Sequence, residues 1–565
     1  MTSSKKERYL RAERVALQRG HDLVGRSVVA ELSEAINLDE IAVGLPRRIH
    51  DVMARQVAEA PDRIALVEDG ASWSYRDLDQ RVSEIAAVLS SLGIRAGDRM
   101  IIVSENCIAL AALLLATSRL DAWAIVANPR LSARELDQIR DHSRARRMFF
   151  ASGVSKEAAA HASRYGAEKL QIGALREIGI GPLSESATVE PVEVEPAKQV
   201  AVLIYTSGTT GTPKGVMLSH ENLLISAKTT AHFRKMDSND TIYLVLPISH
   251  IVGISLLIMT LMVGGAVRMA SKFDPAATTK AIAEEGVTIL NGVPATYQRL
   301  LEYKSVSGVK RLSRGALRLI TVAGAPLDLN LKSRVEKEFG LPLLNGYGIT
   351  ECSPGIAGVR FDAPRSDQAV GTLLPGVEAR VRTLDGLPTA RGEVGELHVR
   401  GRNVMLGYYR APELTAEVID SMGWFNTGDI ARFDGDCLYI VGRTKEMIIR
   451  SGFNVYPAEV EAVLSSHKDV VQCAVVGRVA DGNEEIVGFV QLMPGSQVTP
   501  ENLMSFIRFQ LTSYKRPSKI IILDALPATS TGKILKRKLA ESLHDEGSQV
   551  PPALTAEFTQ TMYLT

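Results

Sequence analysis

The sequence contains few cysteines, and they form none of the familiar cysteine motifs. Only four occur in 565 residues, scattered as Cys107, Cys352, Cys437 and Cys473. No two of them are separated by the two residues that are typical of zinc and redox sites. This sparse usage is typical of proteins from a reducing cytoplasm, and it gives no metal-ligand spacing. We therefore expect a cytoplasmic protein.

The sequence also lacks a global excess of charge of either sign. Its formal net charge is +1, which gives no reason to expect a nucleic-acid partner. Residues 1–20 are an exception, because six basic residues there accompany only two acidic ones. No apolar stretch follows them, so they are not a secretory signal. We expect a solvated helix or a disordered arm, and peripheral contact with a membrane surface or a partner stays open.

Long apolar runs are scarce as well. Residues 251–267 contain no charge over seventeen positions, which is close to the shortest length that can span a bilayer. Glycine, serine and threonine interrupt this stretch, and Asp274-Pro275 lies just beyond it. It therefore predicts a helix buried inside a large domain rather than a transmembrane segment.

The length and the order of the sequence patterns indicate an α/β protein with several domains. A chain of 565 residues exceeds a single hydrophobic core. Helical and strand patterns alternate, with one helix predicted from the N-cap Ser74 to Gly93, so we expect a large domain of stacked, mostly parallel sheets with helices. Strands are predicted at 100–103, 123–126, 147–150, 200–204, 241–246, 287–290, 317–322 and 341–344. Short strands with glycine turns after residue 370 predict a small β subdomain, and a small α+β domain follows it.

Residues 205–216, Tyr-Thr-Ser-Gly-Thr-Thr-Gly-Thr-Pro-Lys-Gly-Val, form the most informative segment. They follow a predicted buried strand. Glycines allow backbone N–H groups to form an anion-binding concavity, hydroxyls add hydrogen-bond donors, and Lys214 adds a positive charge. The loop is therefore suited to a polyphosphate. It is not a Walker A loop, because Lys214 is followed by Gly215 and the glycine spacing differs.

Two later segments carry groups suited to a nucleotide. In residues 345–351, Asn-Gly-Tyr-Gly-Ile-Thr-Glu, an aromatic ring stands between two glycines. Thr350 and Glu351 then supply a hydroxyl and a hard oxygen suited to Mg²⁺. Taken alone, this segment could equally be a glycine-rich turn between a strand and a helix. Residues 424–429 read as a turn that ends in Asp429, whose carboxylate is suited to accept two ribose hydroxyls.

Together these segments resemble the adenylate-forming superfamily, which includes acyl-CoA synthetases, aryl-CoA ligases, luciferases and the adenylation domains of peptide synthetases. The resemblance covers residues 50–540 and includes at least six motifs in the family order. Other matching segments are 246–250, 323–326, 395–401, 406–409, 442–445 and 526–534. We assign no chemistry to 395–401 and 406–409, which match a mainly structural stretch. The chain looks most like fatty-acyl-CoA or aryl-CoA ligases.

The resemblance implies a site for ATP and Mg²⁺. The loop would face the β- and γ-phosphates, Tyr347 would stack on adenine, and Thr350 would meet the α-phosphate. Glu351 would be the magnesium ligand, Asp429 would bind the ribose, and Arg443 is a candidate contact to ribose and phosphate. The implied nucleotide-binding positions are Thr206, Ser207, Gly208, Thr209, Thr210, Gly211, Lys214, Asn345, Gly346, Tyr347, Asp429 and Arg443.

The resemblance also implies where the acid binds. His250 would gate the carboxylate site, and the acyl pocket would involve Ile251, Ser255, Ala323, Gly324, Gly348 and Gly355. Many relatives carry an aromatic residue immediately before this histidine, and Ser249 departs from that pattern. Small residues at Gly253, Ser255, Gly324 and Gly355 favour a roomy pocket for a medium or long acyl chain or an aromatic ring.

A mobile C-terminal domain follows from the same resemblance. Lys533 matches the catalytic lysine, which would hold the substrate carboxylate and the α-phosphate at attack distance. Only the first step needs this lysine, so rotation about the hinge Lys445 would remove it and admit coenzyme A past Gly452. The implied division is a basic extension at 1–45, a large ATP- and acid-binding domain at 46–442, a C-terminal domain at 446–541 and a flexible tail at 542–565.

The resulting expectation is a ligase, monomeric or homodimeric, that makes acyl-AMP from a carboxylic acid and ATP and transfers the acyl group to coenzyme A. Loading of a carrier protein is the alternative, weakened because no carrier domain is fused here. A luciferase-like oxygenase would need a specialised substrate, to which nothing in the sequence points. A non-catalytic nucleotide-binding regulator would be expected to have lost Lys533, Glu351 or Asp429, and all three are present. A membrane-anchored protein is a fourth hypothesis.

Overall fold

The computed structural model describes residues 38–206, 214–450, 453–480, 483–528 and 534–543. Several sequence predictions fall outside these ranges. They concern the basic residues 1–20, the loop residues Ser207, Gly208, Thr209, Thr210 and Gly211, the passage residue Gly452, the catalytic residue Lys533 and almost all of the tail 542–565. These stay predictions from the sequence.

The described part of the chain contains 26 strands and 15 α-helices. The strands are β1 (Ile64–Glu68), β2 (Ala71–Ser74), β3 (Arg99–Val103), β4 (Trp123–Ala127), β5 (Arg147–Phe150), β6 (Glu168–Leu170), β7 (Ile178–Ile180), β8 (Val200–Thr206), β9 (Lys214–Ser219), β10 (Thr241–Leu244), β11 (Ala266–Met269), β12 (Ile289–Gly292), β13 (Leu319–Val322), β14 (Leu343–Gly348), β15 (Gly355–Gly358), β16 (Thr372–Leu373), β17 (Glu378–Arg382), β18 (Gly395–Arg400), β19 (Gly407–Tyr408), β20 (Phe425–Asp434), β21 (Cys437–Arg443), β22 (Ile448–Arg450), β23 (Phe453–Val455), β24 (Val470–Ala480), β25 (Asn483–Leu492) and β26 (Lys519–Ile522). The helices are α1 (Leu38–Ala42), α2 (Ala54–Glu59), α3 (Tyr75–Ser91), α4 (Ile108–Arg119), α5 (Ala133–Ser143), α6 (Lys156–Arg164), α7 (His220–Phe233), α8 (Ile251–Val263), α9 (Pro275–Glu284), α10 (Pro294–Ser307), α11 (Leu329–Phe339), α12 (Pro412–Val418), α13 (Pro457–Ser465), α14 (Pro500–Ile507) and α15 (Lys536–Ser542). Short 3₁₀ helices lie at Ile49–Met53, Thr350–Cys352, Thr444–Glu446 and Ser513–Lys515.

Two large sheets form most of the chain before residue 410. One has the strand order β19-β9-β8-β4-β3-β5-β7-β6, and β8, β4, β3 and β5 are parallel in its centre. The other has the order β16-β15-β14-β13-β12-β10-β11-β1-β2, with six parallel strands from β14 to β1. Antiparallel strands lie only at the edges of both sheets among the described strands. The prediction of mostly parallel sheets is therefore confirmed.

The main hydrophobic core lies between these two sheets. It takes side chains from both of them and from α3, α4, α7 and α8. Along β3, Met100 and Ile102 face this core, while Ile101 and Val103 face a second cluster on the other side of the sheet. This alternation follows from the period of two in a strand. Both faces of the parallel strands are covered, which explains why their sequences are apolar throughout.

Helix α3 forms as its sequence predicts. The hydroxyl of Ser74 accepts a hydrogen bond from Asp77 N at 3.1 Å, and the Asp77 carboxylate accepts one from Ser74 N at 2.9 Å. This capping box satisfies two backbone donors that the first turn of a helix leaves unpaired. The helix ends at Ser91, two residues before Gly93, whose φ of +87° requires glycine.

The apolar stretch at 251–267 contains the predicted buried helix, although the helix is shorter than the stretch. Helix α8 ends where Gly264 adopts a φ of +86°, and β11 begins at Ala266. Residues 266 and 267 are therefore strand, contrary to the prediction. None of the helices in the described ranges combines the length and the apolar character that crossing a membrane requires.

Two smaller units follow the large sheets. Strands β17, β18, β20 and β21 form an antiparallel sheet, which confirms the predicted β subdomain. Strands β24, β25 and β26 then form a three-stranded sheet, and α13 and α14 pack with it in one hydrophobic cluster and α15 in another. This is the predicted small α+β domain. At the other end of the chain, the Lys228 ammonium donates to the Val43 carbonyl at 2.7 Å, so the end of the predicted extension contacts the large domain.

Candidate functional site

The predicted nucleotide contacts Tyr347, Asp429 and Arg443 lie together. The Tyr347 hydroxyl donates to Asp429 Oδ2 at 2.5 Å, and Arg443 Nε lies 3.2 Å from Asp429 Oδ1. Asp429 is only 4% exposed, whereas Arg443 is exposed. Burial and the neighbouring Asp429 carboxylate raise the pKa of Tyr347 well above its ordinary value, so its hydroxyl remains a donor. The carboxylate is thereby fixed between a neutral donor and a cation.

The backbone before Asp429 differs from the sequence prediction. Residues 425–429 belong to β20 and are not a turn, so that prediction is wrong. The turn-like residues mark an irregular start of the strand, where Gly428 has a φ of +69°. Asn426 Oδ1 accepts from Gly428 N at 2.9 Å, and Thr427 Oγ1 accepts from Asp429 N at 3.1 Å. These two local bonds hold the backbone at residues 427–429, where the pairing of β20 with β18 is interrupted.

A second polar group joins Glu351, Tyr408 and Lys214. Glu351 lies in the 3₁₀ helix after β14, and its Oε1 accepts from the Tyr408 hydroxyl at 3.0 Å. The Lys214 ammonium lies 4.9 Å from the centre of the Tyr408 ring, as in a cation–π contact. Burial, together with Glu351, raises the pKa of Tyr408 above its ordinary value. The carboxylate therefore lies at the hydroxyl of Tyr408 and the cation over its ring.

Tyr408 is a site residue that the sequence reading missed, since we assigned no chemistry to 406–409. Strand β19 pairs with β9, where Tyr408 lies opposite Val216. This pairing places the tyrosine beside Lys214 at the start of β9. A tyrosine in a segment that already matched the family was the available signal, but its partner in the sheet lies far away in the sequence.

The phosphate loop connects two paired strands. Thr206 is the last residue of β8 and lies opposite Lys214, the first residue of β9. The ends of the loop are therefore held together by antiparallel pairing, although residues 207–213 themselves lie outside the described ranges. Both ends are partly exposed. The described end of the loop at Lys214 therefore lies beside Tyr408, which in turn contacts Glu351.

Residues 345–348 continue β14 and approach neighbouring backbone closely. A Cβ on Gly348 would lie 2.0 Å from the Pro354 carbonyl oxygen, whereas one on Gly346 would meet nothing nearer than 3.6 Å. Asn345 uses its amide within the protein, since its Nδ2 donates to the carbonyls of Gln368 and Ala369 at 3.3 Å. We therefore assign Asn345 to positioning the strand.

The predicted acid-binding residues lie in two segments, one at the start of α8 and the other after the end of β13. His250 is the exposed N-cap of α8, and Ile251 and Ser255 are buried on its first turns. Ala323 and Gly324 directly follow β13, and Gly324 has a φ of +84°. The structure thus places three of these residues at the start of α8 and two directly after β13.

One of the small residues, Gly253, has a packing role instead of opening a pocket. A Cβ on Gly253 would lie 2.2 Å from the Pro247 carbonyl oxygen. Close approach of the backbone therefore accounts for this glycine, and its size gives no argument for a roomy pocket. Gly355 lines a small cavity together with Ser226 and Thr229.

A cavity of about 110 Å³ lies beside the residue that precedes His250. Ser249 lines it, and the buried Ser249 hydroxyl has no hydrogen-bond partner among the described residues. Glu105 also lines the cavity, and burial raises the pKa of this carboxyl. Arg130 and Lys272 lie 3.5 and 3.9 Å from Glu105, and Arg299 adds a third cation to the wall. Positive charge therefore predominates there.

The predicted hinge is held from both sides. Lys445 is exposed and lies in the 3₁₀ helix that follows β21. Before it, the Thr444 hydroxyl donates to Glu396 Oε1 at 2.8 Å. After it, the Lys536 ammonium lies 2.9 Å from Glu446 Oε2. Glu396 and Lys536 were both missed from the sequence, because each acts on a segment distant in the chain.

One carboxylate suffices for the magnesium that the motifs imply. The described residues contain no cluster of three or more histidine, cysteine, aspartate or glutamate side chains arranged to hold a metal ion. Mg²⁺ is commonly held by one or two carboxylates together with substrate phosphates. Glu351, beside the base of the phosphate loop, fits that role.

Comparisons with known proteins give matches over most of the chain. A family model described as AMP-binding enzyme matches residues 53–409, and one described as AMP-binding enzyme C-terminal domain matches residues 459–533. Feruloyl-CoA synthase from Amycolatopsis sp. is 34% identical over 490 residues, which cover 85% of this chain and 96% of the relative. ATP-bound MatB from Rhodopseudomonas palustris aligns with a TM-score of 0.77 and 30% identity, over 88% of this chain and 100% of that one. O-succinylbenzoate coenzyme A synthetase (MenE) from Bacillus subtilis, in complex with ATP and magnesium ion, aligns with a TM-score of 0.74 and 27% identity. The alignment covers 86% of this chain and 99% of that one.

Proposed function

The chain belongs to the AMP-binding enzyme family, and from this premise we propose that it is an ATP-dependent acid–coenzyme A ligase. It would convert a carboxylic acid to acyl-AMP and pyrophosphate, and then transfer the acyl group to coenzyme A with release of AMP. The observation that carries the proposal is the Tyr347–Asp429–Arg443 group, which lies on two different sheets. A buried, doubly held carboxylate beside an aromatic ring is suited to a ribose next to a stacked base.

The phosphates would extend from this group toward Lys214. The Lys214 ammonium and the backbone of the loop supply positive partial charge, and Thr350 supplies a hydroxyl near Glu351. Glu351 would hold Mg²⁺, which neutralises the charge of the phosphates when bound. Tyr408 would keep the Glu351 carboxylate in place through its 3.0 Å hydrogen bond.

In the first step, an oxygen of the substrate carboxylate attacks the α-phosphorus, and pyrophosphate leaves with the electron pair of the broken P–O bond. Lys533 would stabilise the charge that develops on the phosphorus. His250 would lie at the entrance to the carboxylate site, and Ala323 and Gly324 would form part of the acyl pocket. These assignments rest on the motif positions, with His250 at the N-cap of α8 and Ala323 and Gly324 directly after β13.

In the second step, the coenzyme A thiol attacks the carbonyl carbon and AMP leaves. Rotation about Lys445 would withdraw Lys533 and bring Gly452 to the thiol passage. The cavity beside Ser249 supports coenzyme A as the acceptor, because Arg130, Lys272 and Arg299 supply charge suited to its phosphates. The predicted units 46–442 and 446–541 would be the bodies that alternate.

The experiment that tests this function is an acid screen with the purified full-length chain. ATP, Mg²⁺ and coenzyme A are supplied with short, medium, long-chain and aromatic acids, and pyrophosphate, AMP and acyl-CoA are quantified. We expect medium or long-chain or aromatic acids to give the three products in equal amounts. Acid-independent ATP turnover, or release of ADP, would contradict the proposal. Formation of acyl-AMP without acyl-CoA would instead favour loading of a carrier protein.

A further inference from the structure

Arg234 projects toward the interior at the carboxyl ends of the parallel strands. It directly follows α7, and its Nη1 donates to Asn291 Oδ1 at 3.1 Å. Its Nη2 lies 4.0 Å from the position that a Cβ on Gly346 would occupy. Gly346 immediately precedes Tyr347, so this guanidinium borders the site where the nucleotide and the acid would meet.

This arginine has no acidic partner among the residues that the structure describes. Within the described ranges, no carboxylate lies within 4.0 Å of its guanidinium, whereas nearby Arg318 is paired with Asp240. Burial lowers the pKa of Arg234 to about 10, and it is still a cation near neutral pH. Burying a charged group without a counter-ion costs free energy of folding. The buried Arg234 guanidinium therefore indicates that its counter-ion is a negatively charged group of a ligand.

Asn291 has an unused hydrogen-bond donor beside this guanidinium. The residue is 3% exposed, and its Nδ2 has no hydrogen-bond partner among the described residues. Its Oδ1 accepts from both Arg234 and the Thr321 hydroxyl, the latter at 2.6 Å. Reversing the amide would set its NH₂ group against the guanidinium, which also only donates. The Asn291 NH₂ group therefore keeps its orientation, and it lacks an acceptor among the described residues.

These groups lie beside the predicted acyl pocket. Asn291 pairs with Thr321 across β12 and β13, and Ala323 and Gly324 follow two residues after Thr321. The reacting carboxylate is assigned to the His250 side of the pocket. A fixed cation and an amide donor here would therefore contact a different part of the acid.

We propose that Arg234 and Asn291 bind a second carboxylate, so that the substrate is a dicarboxylic acid of which one end is activated. The inference rests on the proposed ligase function. A guanidinium offers a fork of N–H donors that matches a carboxylate, and Asn291 Nδ2 adds a further donor. A purely hydrocarbon chain would leave the guanidinium without a counter-ion and Asn291 Nδ2 without an acceptor.

Matched acid pairs test the inference. The full-length chain is assayed for acid-dependent AMP release with pairs that differ by one carboxylate, such as hexanoate and adipate, octanoate and suberate, or cinnamate and 4-carboxycinnamate. We expect at least one diacid to exceed its partner in kcat/KM by about 100-fold or more, because the site discriminates against acids that leave its polar groups unpaired. Preference for the monoacid in every pair would overturn the inference.

Variants separate this role from a structural one. Arg234→Leu should lower kcat/KM about 100-fold for the diacid while leaving that for the monoacid unchanged or higher. Lys235→Gln removes the adjacent exposed cation and should change kcat/KM for neither the diacid nor the monoacid. Equal loss for both acids would show that Arg234 only supports the fold. If Arg234→Leu does not fold, Arg234→Lys is used: it should lower the preference for the diacid, and an unchanged preference would overturn the inference.

The outcomes distinguish this inference from the proposed function. AMP and acyl-CoA formation with monoacids alone would leave the ligase standing and overturn the diacid inference. Failure of every acid in both series to release AMP would contradict the ligase itself.

Discussion

The Tyr347 hydroxyl and the Asp429 carboxylate form a 2.5 Å hydrogen bond between residues 82 positions apart in the chain. Tyr347 lies at the end of β14 in the nine-stranded sheet, and Asp429 lies near the start of β20 in the β subdomain. Arg443, from the next strand, holds the other carboxylate oxygen. This contact joins the two units at the position assigned to the ribose, so the site depends on their relative placement.

Replacing Asp429 by Asn should impair ATP use. The amide cannot accept from Tyr347 and pair with Arg443 as the carboxylate does, and it also weakens acceptance of two ribose hydroxyls. We expect kcat/KM for ATP to fall about 100-fold, at roughly 1.4 kcal/mol per tenfold change. Steady-state kinetics with varied ATP measure this. Asp434→Asn is the control, because Asp434 lies on the same strand and is exposed; equal losses in both variants would contradict the role of Asp429.

Lys533→Ala should separate the two chemical steps. Loss of this ammonium removes the charge that stabilises the first transition state, so we expect adenylation to fall more than about 100-fold. Formation of the thioester from supplied acyl-AMP should stay within a few-fold of the wild type. Single-turnover assays of each step measure this, with Arg537→Ala, an exposed residue of α15 paired with Glu541, as the control. Equal loss in both steps would contradict domain alternation.

Two glycines of β14 offer a matched test of close packing. Gly348→Ala places a Cβ 2.0 Å from the Pro354 carbonyl oxygen, so the backbone must shift. We expect a loss of about 1–3 kcal/mol in stability together with reduced activity. Gly346→Ala has 3.6 Å of clearance and should keep the stability of the wild type. Urea unfolding curves measure the stability of the two variants. Similar midpoints would mean that the Pro354 carbonyl does not prevent a side chain at position 348.

Buried His220 should make the stability depend on pH. Its Nδ1 accepts from Ile49 N at 3.1 Å, and its Nε2 has no partner in the described part of the chain. Burial lowers the pKa of His220 well below 6.5, so the folded state holds the ring neutral. The unfolded chain binds the proton more readily; this contribution is therefore complete above pH 6.5 and is lost as the pH falls below it toward the lowered pKa.

The urea midpoint measures this effect. Between pH 7.5 and pH 5.5 the wild type should lose more stability than His220→Gln, by up to about 1.4 kcal/mol per pH unit for one proton. Glutamine cannot take up the proton but can still accept from Ile49 N. Equal losses in the two proteins would show that His220 does not contribute.

The fold could be predicted largely from local patterns, because the parallel strands are apolar throughout and α3 carries its own cap. The strand at 425–434 could not be predicted in this way, because Asn426, Gly428 and Asp429 are typical turn residues. Pairing with β18 and β21, which lie elsewhere in the sequence, makes this segment a strand. Tyr408 was missed because its contact to Glu351 spans 57 residues. Arg234 was missed for a similar reason: that no described carboxylate pairs with it is visible only once the strands are assembled.

The central claim is that the chain activates the acid as acyl-AMP. The most direct test is to measure whether a carboxylate oxygen of the acid is transferred to AMP. The acid is labelled with ¹⁸O in its carboxylate, and the AMP formed in the presence of ATP and coenzyme A is analysed by mass spectrometry. A carboxylate oxygen that attacks the α-phosphorus stays with AMP when the thiol takes the acyl group, so the account predicts one ¹⁸O per AMP. Unlabelled AMP, with the label in inorganic phosphate or pyrophosphate, would contradict activation through acyl-AMP.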